Sequence, residues 1–140
     1  MPEYLEKLLY ELICINSSNP DYSESAPGEE EIGNFIYDIF KKNHIDCIKQ
    51  EAAPGRFNII ASVNCSQYPG TFRNTQAVLL CSHLDTVFID GMEFKAIADN
   101  DFIYGPGSCD TKASIAANIS ALTEYSKFTE RESSRLSTAP

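Results

Sequence analysis

No stretch of this sequence approaches the roughly 20 consecutive apolar residues that a membrane span needs. Nor does it open as a signal peptide, since Met1-Pro2-Glu3 leads into alternating apolar and charged residues. The five cysteines (Cys14, Cys47, Cys65, Cys81 and Cys109) never pair as Cys-x-x-Cys. That spacing, without a signal peptide, points to a reduced, cytoplasmic chain with mostly buried thiols. Basic residues are scarce: 11 lysines and arginines stand against 20 acids, for a net charge of −9. In the first 40 residues Lys7 is the lone base against nine acids. With no basic patch, nucleic acid and anionic membrane surfaces are excluded as expected partners, and the acidity reads as solvated helix faces.

What remains is ordinary globular material. A chain of 140 residues, 43% hydrophobic and 22% charged, suits one domain and excludes a disordered chain, a collagen-like fibre and a coiled coil. Leu5, Leu8, Leu9, Leu12 and Ile13 recur at helical spacing behind Pro2 and stop at the turn formers Asn16-Ser17-Ser18-Asn19-Pro20. Ile32, Phe35, Ile36, Ile39 and Phe40 mark a second helix. It has Glu29, Glu30 and Glu31 at its positive end and Lys41 and Lys42 at its negative end, with Asn43 as a left-handed stop.

Strand patterns follow. Ile45 to Gln50 is a weak candidate, whereas Phe57 to Val63 alternates cleanly, with Phe57, Ile59, Ala61 and Val63 on one face. A polar loop containing Tyr68-Pro69-Gly70 leads to Ala77-Val78-Leu79-Leu80-Cys81-Ser82, which reads as a strand buried on both faces. Phe94 to Ala98 and Phe102 to Tyr104 flank Asp99-Asn100-Asp101 as a hairpin, and a third helix runs from about Thr111 to Lys127. The expected fold class is α/β, with helices packed on a mostly parallel or mixed sheet. Residues 129–140 carry no apolar period and read as a disordered tail. No strand follows the third helix, so the sheet is left with an uncovered edge, as in the front part of a larger domain.

Two segments carry chemistry. In Ser82-His83-Leu84-Asp85-Thr86-Val87, extended spacing projects His83 and Asp85 to the same side. Asp85 can accept from one imidazole nitrogen and leave the other free to bind a metal, although such a pair is also compatible with a structural histidine. In Gly105-Pro106-Gly107-Ser108-Cys109-Asp110-Thr111-Lys112, the glycines permit a tight turn and Asp110 lands beside a helix start, where a plain N-cap is the simple reading. A phosphate loop is disfavoured, because Pro106 removes an amide donor and the Asp110 charge repels phosphate. A mixed cysteine/histidine zinc site using Cys81 and Cys109 competes with burial of both thiols in the core. His44 reads as a surface residue in a charged turn, and Glu124, Glu130 and Glu132 as solvated.

Together the two segments resemble the acetylornithine deacetylase, succinyl-diaminopimelate desuccinylase and aminoacylase family of two-metal peptidases and amidohydrolases. Its signatures are Gly/Ser-His-x-Asp-Thr-Val and, some thirty residues on, Gly-x-Gly-x-x-Asp-Met-Lys-Gly. The turn at Asn16 to Pro20 also looks like the family's turn after its first helix. The resemblance covers about Leu5 to Phe128 and implies that residues 1–128 are the N-terminal part of an incomplete zinc-peptidase-like catalytic domain.

The resemblance also implies roles. His83 is a ligand of one metal, Asp110 bridges two, and Asp85 orients His83 as a member of the catalytic apparatus. Two divalent ions, zinc or cobalt, activate a water that attacks the amide carbonyl of an N-acyl amino acid or peptide, with a glutamate as general base. The peptide after Asp110 is expected to be cis. Thr111, Ala113 and Pro106 depart from the family's Met, Gly and Arg. The family's paired glutamates, later carboxylate ligand and final histidine have no counterpart within these residues, and neither has its second domain, which often forms a homodimer. The isolated chain is therefore expected to be inactive. A truncated, non-catalytic interaction or regulatory protein that keeps only the fold is the alternative.

Overall fold

A computed structural model describes residues 3–63 and 78–137. Two helices come first, α1 (Glu3–Cys14) and α2 (Glu30–Lys42), followed by the strands β1 (Asp46–Ala53) and β2 (Arg56–Ser62). A second strand pair, β3 (Ile97–Asp99) and β4 (Phe102–Tyr104), precedes the long helix α3 (Lys112–Ser137). The expected α/β class is the class observed.

The helical periods bury the residues they single out. Leu8, Leu9, Leu12 and Ile13 of α1 and Ile32, Ile36 and Phe40 of α2 enter one core with Ile45, Cys47, Ile115, Ala116 and Ile119. Each such aliphatic or aromatic side chain taken from water contributes about 1.5–3 kcal/mol before chain entropy is counted. In α3 the buried stripe runs through Lys112, Ile115, Ala116, Ile119, Thr123 and Ser126, so polar residues continue it where apolar ones end. The helix also continues to Ser137, through residues that the composition reads as a disordered tail. Extending an existing helix adds a backbone hydrogen bond for each residue ordered, so no apolar period is required.

Strands β1 and β2 form an antiparallel hairpin in which Cys47 opposes Ala61 and Lys49 opposes Ile59. As expected, Phe57, Ile59, Ala61 and Val63 turn inward while Asn58, Ile60 and Ser62 are exposed. Helix α2 lies close on this face because Gly33 has no side chain. A Cβ there would come within 2.6 Å of the Phe57 ring. At the other end of α2, Asn43 keeps an ordinary φ of −94° and donates its amide to the Ile39 carbonyl at 2.8 Å. The left-handed residue is His44, at φ 56°, and it is exposed as expected.

The sheet differs from the expected parallel or mixed one. Among the described residues it consists of two antiparallel pairs, β1–β2 and β3–β4, and the sole parallel pairing is a single bridge between Ser18 and Thr86. Residues 78–82 form no strand, and Val78 and Leu79 are 89% and 87% exposed. Ala77 and the loop containing Tyr68-Pro69-Gly70 lie outside the described residues. An apolar run marks a segment suited to burial, but burial as a strand requires partners on both edges, and none is present among the described residues. The thiols are also less buried than expected: Cys47 is buried, whereas Cys14, Cys81 and Cys109 are exposed, and all four are free. Cys65 lies outside the described residues. Among the described residues, no helix is long and apolar enough to cross a membrane.

Candidate metal centre

The site is assembled where three connections meet. The segment containing His83 and Asp85 is tied to the turn after α1 by two backbone hydrogen bonds. The Thr86 amide donates to the Ser17 carbonyl and the Asn19 amide to the Thr86 carbonyl, each at 2.9 Å. The loop before α3 then carries Asp110 across to it. Gly107, at φ 75°, allows this turn, since a Cβ would lie 2.7 Å from the Thr86 methyl and 3.1 Å from the Lys112 side chain.

His83 and Asp110 consequently meet, with His83 Nε2 2.9 Å from Asp110 Oδ1. On the opposite side of the ring, His83 Nδ1 lies 3.0 Å from the Asp85 backbone carbonyl and 3.2 Å from its carboxylate Oδ1. Thr111 adds a further tie by donating its hydroxyl to the His83 carbonyl at 2.8 Å. The Asp110–Thr111 peptide is cis, as the resemblance implies. Thr111, not Asp110, directly precedes α3, and the Asp110 carboxylate faces the histidine.

The electrostatics follow from these contacts. The hydrogen bond to Asp110 holds the His83 imidazole above its usual range. Burial opposes this, and the backbone carbonyl and charge of Asp85 and the charge of Asp110 add to it. The His83 side chain is 48% exposed and that of Asp110 84%, so the pair is open to solvent.

One imidazole nitrogen and one carboxylate oxygen that converge from opposite segments are a donor pair suited to a divalent ion. They fit as two ligands and no more: no group of three or more histidine, cysteine, aspartate or glutamate side chains that could hold a metal occurs among the described residues. The mixed cysteine/histidine alternative gains no such group either. Glu124 is engaged on the surface by Lys127 at 2.8 Å, and Glu130 is exposed.

Two further residues, quoted in the sequence motifs but given no role there, lie beside the site. Lys112 is 1% exposed, and its Nζ donates to the Ile15 carbonyl at 2.7 Å while lying 5.1 Å from the centre of the Phe94 ring. Burial pulls its amine down to about 8. Asn19 donates its side-chain amide to Asp85 Oδ2 at 3.0 Å. A lysine at the start of a helix normally signals solvent, and an asparagine before proline normally signals a turn, so neither residue type by itself marked this placement.

Residues 79–137 match the family model described as Peptidase family M20/M25/M40. The chain is also similar to a probable carboxypeptidase of Aspergillus flavus, at 35% identity over 110 residues that cover 69% of this chain and 24% of that protein. A probable carboxypeptidase of Aspergillus clavatus is 32% identical over 71% of this chain and 25% of its own length. A peptidase M20 domain-containing protein of Schizosaccharomyces pombe is 30% identical over 81% of this chain and 26% of its own. The chain thus spans about a quarter of the length of these curated relatives. No solved structure matches.

Proposed function

We propose that this chain is part of the catalytic domain of a metal-dependent hydrolase of the peptidase M20 kind, which cleaves an amide bond in a peptide or N-acyl amino acid. The observation that carries this reading is the 2.9 Å approach of His83 Nε2 to Asp110 Oδ1, made inside the segment that matches the family model. The names of the fungal relatives favour a peptide among the candidate substrates.

In this reading His83 offers Nε2 as a ligand, and Asp110 offers its carboxylate. When bound, zinc or cobalt supplies Lewis-acid polarisation of a carbonyl and a water of lowered pKa. With Nδ1–H directed to the Asp85 backbone carbonyl and beside its carboxylate, loss of the Nε2 proton that now faces Asp110 would turn the Nε2 lone pair to a metal. The Thr111 hydroxyl steadies the backbone at His83. Asp110 cannot serve as general base while its oxygens ligate metal, so proton transfer, typically worth about 10²–10⁴-fold, falls to a group outside this set.

Metal analysis of the purified chain, followed by assays on N-acetyl and N-succinyl amino acids and on short peptides, tests the reading. The expected result is weak binding of a divalent ion without turnover by the chain alone. Metal-dependent turnover that disappears in Asp110→Ala would mean that the chain assembles a full ligand set, for example from a second copy. The absence of any zinc binding would instead favour a non-catalytic interaction or regulatory protein that keeps the fold only.

A further inference from the structure

We infer that Asn19 is a positioning residue for the candidate metal centre, acting on His83 through Asp85. The inference deepens the metal-site reading and rests on it for its consequence, though not for its geometry.

The two oxygens of the Asp85 carboxylate face different partners. Oδ1 lies 3.2 Å from His83 Nδ1, and Oδ2 accepts the Asn19 side-chain amide at 3.0 Å. The orientation of that amide is set independently, because Asn19 Oδ1 accepts the Asp21 backbone N–H at 2.9 Å. With its oxygen so engaged, the Asn19 side chain presents its NH₂ to Asp85. Its position is set in turn by the backbone bond from Asn19 N to the Thr86 carbonyl and by the bridge between Ser18 and Thr86.

Hydrogen bonds therefore run from the Asp21 amide through Asn19 to the Asp85 carboxylate, which lies in ion-pair contact with His83 Nδ1 beside the bond from that nitrogen to the Asp85 backbone carbonyl at 3.0 Å. A carboxylate on a surface segment can turn about its own axis. One whose second oxygen is occupied by a charge-assisted hydrogen bond keeps the first aimed at the imidazole. Asn19 thus lies one bond beyond the carboxylate that orients the ligand, and 66 residues away from that carboxylate in sequence.

The test uses the full chain without metal and reads the ring ¹⁵N shifts of His83 at a pH where the imidazole is neutral. The Asp85 backbone carbonyl stays beside Nδ1 in every variant, so the readout is the carboxylate's added effect: Asn19→Ala shifts the Nδ1 resonance by releasing that carboxylate, and so does Asp85→Asn, whose new amide takes the Asn19 donor on its oxygen and turns NH₂ toward His83. The decisive variant is the exchange Asn19→Asp with Asp85→Asn. The new carboxylate at position 19 accepts from the new amide at position 85, whose oxygen then faces His83, and the Nδ1 shift returns toward that of the unchanged chain. The exchange retains a hydrogen bond between the two positions, so it remains informative if Asn19→Ala folds poorly.

Zinc titration supplies the second readout. Asn19→Ala weakens affinity, toward the roughly 10- to 100-fold loss typical of groups that orient a metal ligand, and the exchange recovers affinity relative to Asp85→Asn. A Nδ1 shift indifferent to Asn19→Ala, or an exchange no better than Asp85→Asn, overturns the inference. Absence of zinc binding in the unchanged chain overturns the metal reading instead, and the metal-free shifts still decide the role of Asn19.

Discussion

His83 Nε2 and Asp110 Oδ1 lie 2.9 Å apart although 27 positions separate the two residues in the chain. The contact raises the proton affinity of the imidazole, and it places two potential ligands at one point. Protons and divalent ions therefore compete for the same nitrogen.

The first prediction follows from that competition. Zinc affinity, measured by calorimetric titration, strengthens as pH rises through the elevated His83 value, because only the neutral ring is a ligand. The linkage to folding has the opposite sense. With the folded value above the unfolded one, the protonated pair stabilises the metal-free chain at acid pH, and this contribution fades as pH rises through the folded value. His83→Ala removes both effects, and zinc binding unchanged in that variant would move the site elsewhere.

Lys112 gives a second pH dependence. Its amine is pulled from 10.5 to about 8 by burial, so between these values the unfolded chain binds more protons than the folded one. Stability therefore rises with pH across that window. Urea midpoints of the unchanged chain should increase from about pH 8 toward 10.5 relative to Lys112→Met, by an amount on the order of 1–3 kcal/mol. Parallel pH profiles for the two proteins would contradict this.

Gly107→Ala should destabilise the chain by about 1–3 kcal/mol and weaken zinc binding, since the added methyl meets Thr86 and Lys112 at a φ of 75°. Gly55→Ala separates the two causes. Gly55 has nearly the same φ, 72°, with nothing within 4 Å of the added carbon, so it reports backbone strain alone. Equal losses in denaturant midpoint would show that contacts around Gly107 do not matter.

The fourth prediction concerns the join between α2 and the first hairpin. Glu29 is 8% exposed and receives a two-pronged hydrogen bond from Arg56, with Nε donating to its Oε2 at 3.0 Å and Nη2 to its Oε1. Arg56→Met leaves that carboxylate buried without its partner and should cost about 1–3 kcal/mol. Glu29→Gln, which leaves no buried charge behind, should cost less. The comparison is made by denaturant melts, and the reverse ranking would contradict the assignment.

How much could be read in advance depended on the range of the interactions. The helical stripes Leu8-Leu12-Ile13 and Ile32-Ile36-Phe40, the alternation from Phe57 to Val63 and the same-side projection of His83 and Asp85 were legible in the sequence. The helical stripes and the alternation follow from the repeat of one element's own backbone, which the local sequence expresses directly, whereas His83 and Asp85 meet by their closeness in the chain, in a segment that forms no strand. The left-handed residue at His44 rather than Asn43 departs from such a reading by one position, within the usual imprecision of helix ends.

The tertiary structure alone decided the rest. Val78 and Leu79 carry the pattern of a buried strand, yet they are exposed, because burial depends on neighbouring strands that a local pattern cannot supply. Lys112 is a lysine at the start of a helix, yet it is buried, because the end of α1 brings the Ile15 carbonyl to its amine. The pairing of Asn19 with Asp85 and that of His83 with Asp110 likewise span 66 and 27 positions. The residue types and their spacing within each segment belonged to the sequence. Which segments meet was set by how α1, its following turn and the loop before α3 pack, since contacts between distant parts of a chain depend on the whole fold rather than on the pattern of any one element.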